Sequence, residues 1–406
     1  MTGLSLPSPH AHTGAWTPRV VVQLAVLAVA AFVYVTAELF PVGALPAIAA
    51  DLDVSEGLVA TLMAGYALVA ALTTVALVRW TAAWPRRRTL VATLVCLTVS
   101  QMISALAPNF AVLAGGRVLS ALGHGLMWSV IAPIGARLVP ASHTGRATAA
   151  VYVGTGVALV IGTPVVAALS AAWGWRPAVA AVAAAAAAVT VAAATVLPAM
   201  PATLGRRPDS VGRPRAPYNR RLLVLSVLTL IGVTGHFIAY TFIVAIIRDV
   251  VGIHGPPLGW LLAGYGIAGL VAMVAMARPL DRWPKAAVIG CLAVLAAALL
   301  ALSALGADLA PGLPVVGAVA VVLWGASSTA LPPMLQASAL RTSPTDPDRA
   351  SGHYVAAFQA GIMGGALIGG GLYDHGGPVA TLTVAAGLIS LALCGVGASR
   401  GVFVVA

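Results

Sequence analysis

The chain has 406 residues, of which 60% are hydrophobic and 8% charged, and its net charge is +11. A soluble domain carries roughly 25% charged residues, so this composition excludes a water-soluble globule and requires a polytopic, all-helical membrane protein. Nucleic acid is excluded as a partner: the arginines stand in short clusters between apolar runs, a pattern that orients membrane helices.

In chain order, the first eighteen residues are polar. The first apolar run, 20–43, passes into "ELFPVGALP" with no small-residue cleavage site, so it reads as an uncleaved span and not as a signal peptide. Further runs long enough to cross a bilayer are expected at 57–79, 89–107, 110–136, 147–171 and 177–198. After a Pro/Arg-rich stretch they resume at 222–246, 257–278, 286–306, 313–339, 352–373 and 377–398. Twelve spans result. The loops after even-numbered spans hold most of the arginines, among them Arg79, Arg86, Arg137, Arg146 and Arg341. Those loops are therefore assigned to the cytoplasm, together with both termini.

Residues 199–221 read as a cytoplasmic linker between an amino-terminal half, 1–198, and a carboxy-terminal half, 222–406. An internal repeat supports the division. "LMAGYALVAAL" at 62–72 aligns without gaps to "LLAGYGIAGLV" at 261–271, and the loops that follow, "RWTAAWPRRR" at 79–88 and "RPLDRWPK" at 278–285, also match. Parallel repeats of this kind are a transporter architecture with the substrate site between the halves. One mismatch stands out: Ala82 occupies the place where the second copy has Asp281 followed by Arg282. The three cysteines, Cys96, Cys291 and Cys394, are far apart inside apolar runs. They form no disulfide or metal pattern, and no metal or cofactor is expected.

Several stretches carry a family resemblance. They are "TAELFPVGALPAIAADLDVS" (36–55), "RVLSALGHG" (117–125), "GTGVALVIGTP" (154–164), "GHFIAYTFIVAIIRDVVG" (235–252), "AFQAGIMGGALIGGGL" (357–372) and the two basic loops. Together they make the chain similar to the major facilitator superfamily. Within it, the chain resembles the twelve-span drug:proton antiporters, nearest the sugar-efflux and drug-efflux members. The resemblance implies a secondary transporter in a bacterial plasma membrane, expected as a monomer, that exchanges protons for a small amphipathic drug. A sugar or nucleoside is the alternative substrate. It also implies that Gly162 and Pro164 belong to a motif sealing the two halves. A loop acid is expected to clasp the cytoplasmic side shut, with Arg79, Arg86, Asp281, Arg282 and Lys285 as its charged members. With Ala82 in place of that acid, the first half is expected to lack its clasp, while Asp281 with Arg282 or Lys285 keeps the other.

Ionisable side chains inside a span are costly and usually functional. Glu38 is the carboxylate well inside a span, and Arg117 lies at a compatible depth, so an ion pair between them is expected. The proton affinity of a carboxylate in low dielectric depends on whether a cation is near. A change in that pairing would load or release a proton. His124 lies two helical turns from Arg117 on the same face and is a further proton-carrying candidate. Tyr34, Thr36, Trp128, His236, Tyr240 and Gln359 are expected to line the substrate cavity, with hydrogen bonding between helices as the alternative role. An ATP-driven pump is excluded, because Lys285, the one lysine, follows Trp-Pro and not a phosphate-binding glycine loop. A polytopic enzyme is disfavoured by the scattered acids.

Overall fold

A computed structural model describes residues 16–54, 56–202, 219–254, 256–308 and 314–403. It contains twelve helices long and apolar enough to cross a membrane. In a hydrocarbon slab every backbone N–H and C=O must be satisfied within its own segment, which makes helices the solution for apolar runs of this length. The spans are α1 (Pro18–Pro41), α2 (Thr61–Ala83), α3 (Arg86–Ala105), α4 (Phe110–Arg137), α5 (Ala141–Ser170), α6 (Trp175–Val196), α7 (Arg220–Tyr240), α8 (Pro257–Ala275), α9 (Pro284–Gly306), α10 (Pro314–Thr342), α11 (Pro347–Tyr373) and α12 (His375–Ala398). Of the expected linker, residues 203–218 lie outside the described residues.

Most boundaries fall within a few residues of the hydropathy reading. Two differ in a way that matters. Helix α5 starts at Ala141 and α11 at Pro347, each earlier than the apolar run alone indicates, because a polar first turn precedes the greasy stretch. In α11, the side chain of Asp346 caps the N–H of Arg349, and Pro347 occupies the first helical position. Both are start signals independent of hydropathy.

The spans form two six-helix halves, α1–α6 and α7–α12. They meet where α2 and α4 pack on α11, and where α5 packs on α8 and α10. Within α5 the glycine motif works at close range. A Cβ on Gly154 would overlap the Ala28 carbonyl oxygen of α1, and one on Gly162 would overlap Thr36 Oγ1. Pro164 has no N–H for the preceding turn, and the helix widens into a π turn over Ala158–Gly162 before Thr163–Trp173 resumes. The expectation that Gly162 seals the two halves is corrected: it faces α1 of its own half. From α5, Gly156 meets Leu270 and Val160 meets Gly266 of the other half.

Candidate functional site

Between the halves lies a chamber of about 310 Å³. The first half contributes Glu38, His124, Trp128 and Tyr152, and the second contributes His236, Tyr240, Tyr265, Tyr354 and Gln359, on an otherwise mainly apolar wall. Of the residues expected to line it, Trp128, His236, Tyr240 and Gln359 do, whereas Tyr34 and Thr36 do not; of the proton-carrying candidates, Glu38 and His124 line it and Arg117 does not. Tyr34 is fully buried, and its hydroxyl donates to the Thr93 carbonyl at 3.1 Å. Thr36 packs against Gly162. These two are corrected to helix-packing residues.

On the first half the expected Glu38–Arg117 ion pair is not formed. Arg117 Nη1 donates to the Ala37 carbonyl at 2.7 Å, and Nη2 to the Glu38 backbone carbonyl at 2.7 Å. The reason is Pro41. Without an N–H it cannot serve the carbonyl four residues back, which is that of Ala37, and the guanidinium serves it instead. The same guanidinium lies over the Tyr66 ring, 4.5 Å from its centroid, and over Phe40 at 5.2 Å. The Glu38 carboxylate turns toward His124, with Oε2 3.7 Å from Nδ1. That nitrogen also lies 2.9 Å from the Tyr66 hydroxyl. A carboxylate, an imidazole and a phenol thus form one cluster that meets the chamber through Glu38 and His124, with Tyr66 buried behind them, a set of groups able to hold and pass a proton.

The second half contributes no carboxylate, lysine or arginine to the described lining. Trp324 Nε1–H donates to His236 Nδ1 at 3.1 Å. The His236 ring stacks on Tyr240, with centroids 5.1 Å apart and 27° between planes. Tyr265, the repeat partner of Tyr66, bonds the Ser328 hydroxyl at 2.9 Å. Ser328 stands to Arg341 on α10 as His124 stands to Arg137 on α4, so the two halves make the same contact with serine replacing histidine. The sequence alone does not mark Tyr66, Tyr152, Tyr265, Trp324 and Tyr354 as site residues. The "AGY" repeat was a readable sign for Tyr66 and Tyr265; aromatic residues in a greasy span give no such sign.

Beneath the chamber the halves are held together at the Arg-rich face. Asp281 accepts from the Gly145 N–H at 2.7 Å, from Arg146 Nε at 2.9 Å and from Arg341 Nη2 at 3.0 Å. This acid therefore clasps the start of α5 from the other half. Its expected partners are corrected: Lys285 donates to the carbonyls of Gly397 and Ser399, and Arg282 is exposed. The expectation that the first half lacks its clasp is also corrected. Asp348, in the first turn of α11, has Oδ2 2.8 Å from Arg86 Nε and 3.1 Å from Arg137 Nη2. Arg86 and Asp348 are both 2% exposed. Arg86 also donates to the Ala82 carbonyl at 2.9 Å, so Ala82 contributes through its backbone. Arg79 is exposed. Further in, Ser351 donates to the Trp128 carbonyl at 3.3 Å. These polar contacts join the two halves on the Arg-rich side of the chamber.

The Major Facilitator Superfamily model matches residues 27–246 and 225–400. The chain belongs to the major facilitator superfamily. Two curated facilitators from two strains of Mycobacterium tuberculosis, each described as a chloramphenicol efflux pump, are 58% identical to it over 393 residues, covering 96% of this chain and 95% of theirs. Among solved facilitator structures, the human organic anion transporter MFSD10 superposes with a TM-score of 0.75 at 16% identity, covering 94% of this chain and all of its own. A bacterial homologue of the iron transporter ferroportin, in an outward-facing state, superposes with a TM-score of 0.72 at 13% identity, covering 93% and 98%. The two solved structures establish the shared fold.

Proposed function

We propose that this facilitator exports an uncharged, amphipathic antibiotic of the phenicol type in exchange for protons. It does so by alternating access, as a monomer in a bacterial plasma membrane. The Arg-rich face and both termini are cytoplasmic, and 199–221 links the rocking halves 1–198 and 222–406. The observation that carries this reading is the near end-to-end identity of 58% to proteins described as chloramphenicol efflux pumps. The chamber supports it. An apolar, aromatic wall suits a nitroaryl compound, and among its described lining residues Gln359 is the one amide, too few for a sugar.

Glu38 and His124 carry the proton. An ionised carboxylate in a closed apolar chamber is costly unless it is paired. A proton taken up from the outer side neutralises Glu38 and permits closure around an empty chamber. Release of that proton to the cytoplasm readies the site for the next drug molecule. Arg117 is a positioning residue, fixing the Pro41 turn and with it the depth of Glu38. The test is chloramphenicol transport in proteoliposomes under an imposed pH gradient. Saturable, gradient-driven accumulation that a protonophore abolishes is the expected result, and Glu38→Gln should lose the gradient-driven component yet retain counterflow. Equal gradient-driven transport by wild type and Glu38→Gln would overturn the assignment of the proton site.

A further inference from the structure

The chamber contains two histidines that the fold treats differently. His124 has its Nδ1 beside a hydroxyl, which can donate to it or accept from it, and a carboxylate, so its surroundings suit either tautomer. His236 has its Nδ1 opposite the indole N–H of Trp324 at 3.1 Å, and Trp324 is fully buried. An indole N–H is a donor only. Nδ1 of His236 must therefore be the acceptor, and in the neutral ring the single proton then sits on Nε2. Nε2 has no partner among the described residues and is not one of the buried atoms left unsatisfied, so it opens into the chamber that His236 lines. Protonating Nδ1 would break the indole bond and set two N–H groups against each other. The ring is held further by Tyr240 stacked on it and Phe237 at its edge. The other titratable groups around it are Tyr240 and Tyr265 nearby, and Glu38, His124, Tyr152 and Tyr354 on the rest of the wall.

We propose that Trp324 fixes His236 as a neutral Nε2–H donor, and that this donor selects substrates whose aromatic ring, stacked along the Tyr240 wall, bears an uncharged acceptor such as a nitro oxygen. His236 is then a specificity-determining residue of the drug site, distinct from the proton-carrying pair Glu38 and His124. The proposal rests on the phenicol reading above.

The experiment is equilibrium binding to the purified full-length protein of chloramphenicol and of the same molecule with its nitro group replaced by hydrogen. Loss of one neutral hydrogen bond predicts that wild type favours the nitro compound by about ten-fold. His236→Phe should erase that preference while still binding the hydrogen-substituted compound, which also shows that the variant is folded. Nitrogen-15 spectra of labelled histidine should show His236 protonated at Nε2 and bare at Nδ1, a signature that Trp324→Phe should shift together with the preference. A preference that survives His236→Phe, or a His236 bare at Nε2, overturns this assignment alone. Absence of saturable binding of either compound to wild type overturns the phenicol reading and this assignment with it.

Discussion

The two clasps on the Arg-rich face do the same work with their charges placed differently. In one, the acid sits on the loop after the second span of its half, as Asp281, and reaches the first turn of α5. In the other, the loop offers Arg86, and the acid sits in the first turn of α11, as Asp348. Each arrangement also recruits the arginine that ends the fourth span of a half, Arg341 in one and Arg137 in the other. Duplication preserves the scaffold, and what must be kept is a buried pairing across the seam and not the acid at a fixed position. Asp348 has an added reason to be stable where it is, since a carboxylate in the first turn of a helix is favoured by the backbone dipoles.

Breaking the clasps should give the largest effects. Removing one partner of a buried ion pair costs on the order of 3 kcal/mol, because the other charge is left uncompensated. Asp281→Asn and Asp348→Asn should each open the Arg-rich side. The readout is labelling of a cysteine at Ser351, in a protein whose Cys96, Cys291 and Cys394 have been replaced. Each change should speed labelling by at least ten-fold, with Asp281→Asn the stronger because Asp281 also holds backbone N–H groups. Unchanged labelling in Asp348→Asn would show that the second clasp does not bear on closure. A smaller effect is expected from moving the acid. Ala82→Asp in the Asp348→Asn background should slow labelling again, because a loop carboxylate can approach Arg86 and Arg137 from their own half. Ala82→Asp alone should change labelling least, since Asp348 already meets both arginines. Any acceleration would reflect repulsion between the two acids.

The chamber sharpens the same comparison. Tyr66 with His124 and Tyr265 with Ser328 are one contact in two versions, and the titratable version belongs to the half that holds Glu38. His124→Ser, which copies the second half into the first, should lower gradient-driven chloramphenicol transport several-fold while leaving counterflow intact. Equal loss of both would assign His124 to drug binding instead of proton transfer.

Much of this architecture was legible in the sequence, because span number follows from apolar length and the repeat announces itself at Tyr66 and Tyr265. The depth match of Glu38 and Arg117 was legible too, but depth does not fix which atoms meet. Pro41 held the missing information: its absent N–H leaves the Ala37 carbonyl for Arg117 and so frees the Glu38 carboxylate to face His124. Asp348 was hidden for a different reason. Hydropathy begins α11 at its greasy part, whereas the cap at Asp346 and the proline after it begin the helix a turn and a half earlier. The lock between His236 and Trp324 joins two spans far apart in the chain, and nothing in either span's composition points to the other.

The placement of charge at the seam has a consequence for how the molecule could be assembled from pieces. Both clasping acids belong to the second half, and the cations facing them across the seam, Arg86, Arg137 and Arg146, belong to the first. The carboxylates of residues 1–198 are Glu38, Asp51, Asp53 and Glu56, none of them on the Arg-rich face. Two copies of the first half would meet there as cation against cation, and a self-complementary pair needs both signs on each partner. Produced as a separate polypeptide, the first half therefore has the charges to close this face only with the second half, which supplies Asp281 and Asp348.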